Sequence, residues 1–169
     1  PGVGKGLADH LDIIVQHHAK TGVGMGYNFD MPLRGLNWAR LWLSRRGGTL
    51  ASNVAEAGGF VKSAPEKDIP DIQFHFVPAQ LDDHGRNKMP GSGYTLHACF
   101  LRPKSRGRLT LTGNSIAQKP RIDAGYLSDA GGFDMKVMLA AVKLSRQLLA
   151  QPAFDAYRGP EVFPGEALQ

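Results

Sequence analysis

Histidines are the first residues of this 169-residue chain with the chemistry for a functional site, and there are six of them. A metal site needs ligands that meet on one side of an element, but His17 and His18 are adjacent and point to opposite faces of a strand. His75 and His97 lie on the less apolar faces of two predicted strands and converge if those strands are neighbours. We therefore expect no metal site. A histidine in a strand is more often a hydrogen-bonded structural residue than a catalyst.

Glu56 is a second candidate because it begins the segment Glu-Ala-Gly-Gly-Phe, which ends at Phe60. The two glycines leave the backbone open to close approach. A carboxylate beside bare backbone and an aromatic ring has the chemistry to hold a hydroxyl group or a cationic ligand. The alternative is a carboxylate in water at the end of a strand, and composition alone favours that alternative.

The segment from Arg102 to Arg108 carries four positive charges in seven residues. Nucleic-acid surfaces interleave aromatic residues with such charges, and this run has none, so we expect a solvated hairpin turn and no nucleic-acid partner. A stand-alone basic binding module without catalysis is the alternative. Gly2, Gly4 and Gly6 lack the strand and helix that flank a phosphate loop, and no serine lies in a Gly-x-Ser-x-Gly turn.

The elements that would position these residues follow from hydrophobic periodicity. Alternation and β-branched content predict strands at 11–18, 55–62, 71–77, 93–102 and 107–112, and the apolar faces of 93–102 make it central. Helical spacing predicts one helix at 36–46, stopped by Gly47 and Gly48, and another at 133–149 with Leu148 on its apolar face. Asp129 is the predicted cap of the second helix, and the tail 159–169 is predicted to be irregular. The sequence thus predicts an α+β fold, an antiparallel β-sheet of largely sequential strands covered by helices.

Composition limits the class of protein further. Hydrophobic residues make up 42% and charged residues 21%, which is ordinary for one globular domain, and the net charge of +5 permits a polyanionic partner without implying one. The lone Cys99 excludes an intrachain disulfide. No apolar run approaches the roughly 20 residues that cross a bilayer, and the first residues do not form an export signal. We expect a cytoplasmic protein without a transmembrane segment.

Five motifs in a fixed order resemble the glucose–methanol–choline (GMC) family of flavin-dependent oxidoreductases. They are Pro-Gly-Val-Gly-Lys-Gly-Leu-Ala-Asp-His at 1–10, Glu-Ala-Gly-Gly-Phe at 56–60, Pro-Asp-Ile-Gln-Phe-His-Phe at 70–76, Arg-Pro-Lys-Ser-Arg-Gly-Arg at 102–108, and Pro-Arg-Ile-Asp with Tyr-Leu-Ser within 120–128. In the first motif Gly6 replaces the family's usual asparagine. The segment 70–83 is more similar to the alcohol and choline dehydrogenase branch than to the sugar oxidases.

The resemblance implies that residues 1–169 are the substrate-binding domain of a larger FAD-dependent enzyme. The FAD-binding module of the same parent chain would precede this segment, and the family's catalytic histidine would follow it. The parent would oxidise a primary alcohol, either an aliphatic alcohol or choline, to an aldehyde by hydride transfer to the flavin. This segment alone would neither hold FAD nor be active, and we expect no catalytic residue within it.

The resemblance also implies a set of substrate-binding residues: Glu56, Phe60, Phe74, His75, Tyr94 and Arg102. Glu56 falls at the position that holds the quaternary ammonium in choline-oxidising members. Arg102 falls where some of those members carry a cavity histidine, and this departure argues against choline. The apolar rings of the set suit an aliphatic alcohol at least as well.

Overall fold

The structure, a computed structural model, describes residues 2–20, 22–165 and 167, so the first residue of the first motif and most of the last four residues of the predicted irregular tail lie outside it. Within the described residues the chain forms two α-helices, α1 (Met31–Arg45) and α2 (Phe133–Leu149). The strands are β1 (Lys5–Leu7), β2 (Asp12–Ala19), β3 (Gly26–Tyr27), β4 (Ala57–Val61), β5 (Ile72–Val77), β6 (Gly91–Phe100), β7 (Gly107–Thr110), β8 (Arg121–Asp123) and β9 (Arg158–Phe163).

Two antiparallel sheets organise these strands, which confirms the predicted fold class. The larger sheet has six strands in the order β4-β5-β6-β2-β9, with β3 paired to β6 beside that path. The smaller sheet has the order β1-β7-β8. As predicted, β6 is central, and β4, β5 and β6 are sequential neighbours. The strands β2 and β9 come from opposite ends of the chain and complete the sheet through long-range pairing.

Helix α2 covers one face of the six-stranded sheet and forms the core with it. The buried apolar side chains of that core are Val15, Ile72, Phe74, Tyr94, Leu96, Ala98 and Phe100 from the sheet and Val137, Met138, Ala141 and Leu149 from α2. Each large side chain buried here contributes about 1.5–3 kcal/mol. We call this side of the sheet the core face.

The observed bounds of α2 are those that the sequence predicts, and Asp129 caps the helix. The Asp129 carboxylate accepts hydrogen bonds from the backbone N–H groups of Phe133 at 2.6 Å and Asp134 at 3.3 Å. The predicted apolar face is wrong at its end, because Leu148 is 42% exposed whereas Leu149 is buried.

Three local predictions also need correction. Helix α1 begins at Met31, before the predicted 36, and ends with Arg46 rather than a glycine in the left-handed conformation. The segment after β6 is not a hairpin turn, since β6 and β7 belong to different sheets. The predicted irregular tail contains most of β9, which pairs with β2 at the edge of the sheet. Pro160 is tolerated there because an edge strand forms backbone hydrogen bonds with a neighbour on one side only.

Candidate functional site

The side of the six-stranded sheet opposite the core face carries polar side chains, and we call it the open face. Because successive residues of a strand alternate between faces, the register defines its members. In β6 they are Thr95, His97 and Cys99; opposite them lie Gln16, Ile14 and Asp12 of β2 and Val77, His75 and Gln73 of β5. The predicted convergence of His75 and His97 is confirmed, because the two residues are directly opposite each other.

His97 and Asp12 form a short polar contact on the open face. The Nδ1 atom of His97 lies 2.6 Å from Oδ2 of Asp12, and both side chains are partly exposed. When Nδ1 donates its proton to this carboxylate, Nε2 of the neutral ring is left as a hydrogen-bond acceptor. The pair can therefore accept a hydrogen bond, or a proton, from a hydroxyl group that reaches it.

Asp12 also contacts the only cysteine of the chain. The Cys99 thiol donates to Oδ1 of Asp12 at 3.5 Å. Burial, followed by the negative charge of Asp12 and this hydrogen bond, raises the pKa of Cys99 to about 12. The thiol is therefore protonated near neutral pH, and the site offers no thiolate nucleophile.

The segment that follows β5 folds over one end of the open face and is fixed there by buried polar side chains. Oε1 of Gln16 accepts a hydrogen bond from the backbone N–H of Leu81 at 2.8 Å. The Thr95 hydroxyl lies 2.6 Å from the same oxygen and 2.7 Å from the carbonyl oxygen of Ala79. Gln16 and Thr95 are fully buried, so these contacts hold the segment firmly against the sheet.

A cavity of about 450 Å³ lies between this segment and the end of β9. Its wall includes Asp12, Ile14, Leu81, Asp82, Asp83, His97, Phe163 and Pro164. This size is within the usual range for small-molecule sites, which are apolar with a few placed polar groups. The His97–Asp12 pair is such a polar group, set in a wall that also contains Ile14, Leu81 and Phe163.

Two of the six sequence-predicted site residues share the open face. His75 stands opposite His97, and Phe60 of β4 stands opposite Gln73, with its ring 61% exposed. Gly58 of β4 is the direct partner of His75 and lies where the strands approach closely, because a Cβ there would be 2.6 Å from the carbonyl oxygen of Phe74. Neither His75 nor Phe60 lines the 450 Å³ cavity. Both lie on the open face between that cavity and the edge of the sheet formed by β4.

Glu56 lies one residue before β4 and lines a separate recess of about 240 Å³. Arg34 of α1 lines the same recess and lies over the ring of Trp38, with 5.4 Å from Cζ to the ring centroid. Its Nη2 atom also donates to the carbonyl oxygen of Gly24 at 2.7 Å. The positive charge of Arg34 repels a cationic ligand and so disfavours its binding beside Glu56 in this recess.

The structure places two of the predicted site residues, Phe74 and Tyr94, on the core face, where they are only 6% and 5% exposed. Phe74 packs in the core with α2, so its ring is closed to a ligand on the open face. Tyr94 packs against Phe76 and Phe154 on that same face. Neither side chain can contact a ligand that His75 or His97 contacts.

Arg102 lies beyond the end of β6, where Nη1 donates to the carbonyl oxygen of Pro70 at 2.7 Å. The other charges of its basic run are also held by the protein: Lys104 lies 4.1 Å from the ring centroid of Phe133, and Arg106 donates to the carbonyl oxygens of Pro103 and Ser105. A polyanion would have to displace these contacts, which disfavours the basic binding module.

Asp12 is one of the cavity residues that sequence reasoning missed, together with Ile14, Leu81 and Phe163. Its signal was its place at the start of the predicted strand 11–18, in alternation with Ile14 and Gln16. That pattern indicates which face of the strand Asp12 lies on but does not identify His97 as its partner, because the two residues are 85 positions apart.

Among the described residues there is no cluster of three or more metal-ligating side chains. No helix in the described part of the chain has the length and apolar character needed to cross a membrane.

Comparisons with known proteins agree with the sequence motifs. Residues 103–168 match the family described as GMC oxidoreductase. The chain is 46% identical over 168 residues to an alcohol dehydrogenase (acceptor) of Pseudomonas putida, which covers 99% of this chain and 30% of that protein. It is 37% identical over 172 residues to an oxygen-dependent choline dehydrogenase of Proteus mirabilis, covering 100% of this chain and 30% of that protein.

A solved structure shares the fold across almost the whole chain. A formate oxidase of Aspergillus oryzae, studied for its FAD modification, superposes with a TM-score of 0.80 at 21% identity, over 98% of this chain and 33% of that one. The chain thus spans about a third of the length of the proteins it matches. Residues 103–168 thus match the GMC oxidoreductase family, and the five ordered motifs and these relatives show that the whole chain is similar to proteins of that family.

Proposed function

We propose that residues 1–169 are the substrate-binding domain of a longer FAD-dependent oxidoreductase that converts a primary alcohol to an aldehyde in the cytoplasm. The observation that carries the proposal is the His97–Asp12 pair in the wall of a cavity of about 450 Å³ on the open face. The names of the alcohol and choline dehydrogenase relatives support the substrate class, and the fraction of their length that this chain spans supports a longer enzyme.

In this proposal the imidazole Nε2 of His97 accepts a hydrogen bond from the substrate hydroxyl. Asp12 is a positioning residue, because its carboxylate fixes the ring through Nδ1. Ile14, Leu81 and Phe163 surround the alkyl part of the alcohol and exclude water from it. His75 and Phe60 extend this surface, and Glu56 and Arg102 lie outside it, at the recess near α1 and at the end of β6.

A neutral aliphatic alcohol fits the described residues better than choline. A quaternary ammonium needs a carboxylate or an aromatic face that is free to receive it. Glu56 shares its recess with the guanidinium of Arg34, and that same guanidinium already lies over Trp38. The three carboxylates in the cavity wall are also engaged: Asp12 contacts His97, Asp82 accepts from Asn87, and Asp83 accepts from Arg86. We therefore propose an uncharged primary alcohol as the substrate class.

The glycine-rich start of the chain does not fit the pyrophosphate of FAD. The glycines near the start of the chain lead into β1, and no helix begins after them to receive a pyrophosphate. At Gly4 a Cβ would lie 2.2 Å from the carbonyl oxygen of Leu109, so the chain's own backbone fills the space that a phosphate would need. We assign FAD to another part of the proposed enzyme and derive no step through it.

The test uses the FAD-containing protein that carries this chain, with hexan-1-ol as substrate and a dye as electron acceptor. Loss of a hydrogen bond to a reacting group costs about 1.5–3 kcal/mol, so His97→Gln should lower kcat/KM about tenfold to a hundredfold. Asp12→Asn should lower it by a similar factor, and the double variant should lose little more, because the two residues act as one unit.

His75→Gln is the matched comparison, since it changes a histidine directly opposite His97 that lies outside the cavity wall. We expect it to raise KM and to leave kcat nearly unchanged. Flavin absorbance should be equal in all variants. An unchanged kcat/KM in His97→Gln would refute the role of the pair, and a purified enzyme with neither flavin nor alcohol oxidation would refute the proposed function as a whole.

A further inference from the structure

Helix α1 presents a row of apolar side chains to solvent. The row contains Leu33, Leu36 and Leu43, which are three and seven positions apart and therefore lie on one side of the helix. These leucines are 70–74% exposed, and Phe29, just before the helix, is fully exposed. We call these four residues the α1 stripe. Exposed apolar residues that are grouped in this way mark an interaction surface, whereas single ones do not.

The chain around the α1 stripe carries positive charge only. Residues 31–55 contain four arginines and no aspartate or glutamate. Arg40, Arg45 and Arg46 are exposed, and among the described residues none of the three forms an ion pair with a carboxylate. An occupant of this surface must therefore combine apolar groups with negative charge.

Arg40 distinguishes between the possible occupants because it lies between Leu36 and Leu43 on the same side of the helix. A protein that covered the α1 stripe would bury this guanidinium and would have to supply a carboxylate at the centre of an apolar patch. A second copy of the chain would bring another Arg40 instead. A bilayer surface accepts both groups, because the leucines enter among the lipid tails while the arginine side chain extends to the lipid phosphates.

We propose that α1 is an interfacial helix that binds reversibly to a bilayer surface rich in anionic phospholipids. The α1 stripe lies at the boundary of the acyl chains, and Arg40 contacts the phosphates. The 15 residues of α1 measure about 22 Å, so the helix lies in the plane of the surface. Reversible binding of this kind is compatible with the cytoplasmic location proposed above.

The experiment mixes the protein that carries this chain with sedimentable vesicles and measures the bound fraction by protein staining. One set of vesicles contains phosphatidylglycerol and phosphatidylcholine in equal parts, and the other contains phosphatidylcholine alone. An arginine near an anionic surface strengthens binding about fivefold, so the mixed vesicles should bind the protein about tenfold more strongly or better. Raising the salt concentration from about 0.1 M to about 1 M should remove most of this difference.

Two substitutions in α1 have matched controls in α2. Leu36→Asp should weaken binding about tenfold or more, because it removes a leucine from the lipid contact. Leu139→Asp makes the same change of charge at an exposed leucine of α2 and should alter binding less than about twofold. Arg40→Gln should weaken binding about fivefold, whereas Lys143→Gln, at an exposed lysine of α2, should have little effect.

The proposal fails if the protein does not sediment with the mixed vesicles, if it binds phosphatidylcholine equally well, or if Leu36→Asp and Leu139→Asp weaken binding equally. Leu36→Asp should also leave the urea midpoint and the mass of the protein in solution unchanged, because Leu36 is exposed. A lower urea midpoint would show that another part of the parent protein covers the α1 stripe, and a lower mass would show that a second copy covers it. Either result would overturn the proposal.

Discussion

Asp134 in the first turn of α2 joins the basic segment after β6 to the helix. Its carboxylate is 2% exposed and accepts hydrogen bonds from the backbone N–H groups of Lys104 and Ser105, each at 2.9 Å. Burial raises the pKa of Asp134, but the hydrogen bonds from Ser105 and Lys104 outweigh burial and hold the pKa below its usual value. We predict that Asp134→Asn destabilises the fold although it keeps the size of the side chain.

The magnitude follows from the number of acceptors. A carboxylate offers an oxygen to each of the two backbone N–H groups, whereas an amide offers one oxygen and sets its NH₂ group against the second N–H. A buried donor without a partner costs about 1–3 kcal/mol. Loss of a negative charge from the first turn of a helix costs about 0.3–1 kcal/mol more. The unfolding free energy should therefore fall by about 1.5–4 kcal/mol at pH 7.

The destabilisation by Asp134→Asn should become smaller as the pH falls. Because the pKa of Asp134 is lowered in the folded state, its ionised form stabilises the protein above the unfolded pKa, about 3.9 for aspartate. This stabilisation is lost as pH falls through the lower, folded pKa. The gap between wild type and Asp134→Asn should thus be full at pH 7 and should shrink below about pH 4.

Urea unfolding followed by circular dichroism measures this gap. Asp123→Asn is the control, because it removes only an exposed ion pair with Arg108 at 3.5 Å and keeps an oxygen for the Gly125 N–H. That control should cost less than about 1 kcal/mol. Equal losses in the two variants, or an Asp134→Asn gap that stays constant from pH 7 to pH 3, would refute the reasoning.

Two further predictions concern the open face. Gly58→Ala should lower the unfolding free energy by about 1–3 kcal/mol, because the new Cβ meets the carbonyl oxygen of Phe74 at 2.6 Å. Urea unfolding measures this loss, and Gly59→Ala is the control because no atom lies within 4 Å of a Cβ at that position. Equal losses in the two variants would contradict the prediction. Cys99 should react slowly with iodoacetamide at pH 8, because burial and Asp12 raise its pKa to about 12. Asp12→Asn should speed the alkylation. An unchanged rate would show that Asp12 does not influence the ionisation of the thiol.

Much of the sheet was predictable, because its strands show alternation and sequential neighbours pair. That logic correctly placed β6 at the centre and predicted that His75 and His97 converge if their strands are neighbours, as they are. The same alternation already separates Phe74 from His75, since adjacent residues of a strand face opposite sides. The predicted substrate set included both residues because it followed the family resemblance rather than the parity of positions.

What the sequence could not predict is the long-range pairing of β2 with β6 and of β9 with β2. No local signal ties Asp12 to His97, and a shift of one residue in the register of β2 would turn Asp12 to the core face. The start of α1 was missed for a similar reason. Pro32 is compatible with the first turn of a helix, but Gly35 weakens the local helix propensity, and the helix buries no residue that would mark a core-facing stripe.

The position of Asp12 explains why the open face offers a hydrogen-bond acceptor for a hydroxyl group but no thiolate nucleophile. One carboxylate oxygen contacts Nδ1 of His97, and the other accepts from Cys99. The first contact leaves Nε2 as an acceptor, whereas burial together with the second contact keeps the thiol protonated. Because Asp12 contributes to both effects, Asp12→Asn should weaken the acceptor and make the thiol easier to ionise. Separate responses of alcohol turnover and thiol alkylation to that one substitution would show that the two contacts do not form a single unit.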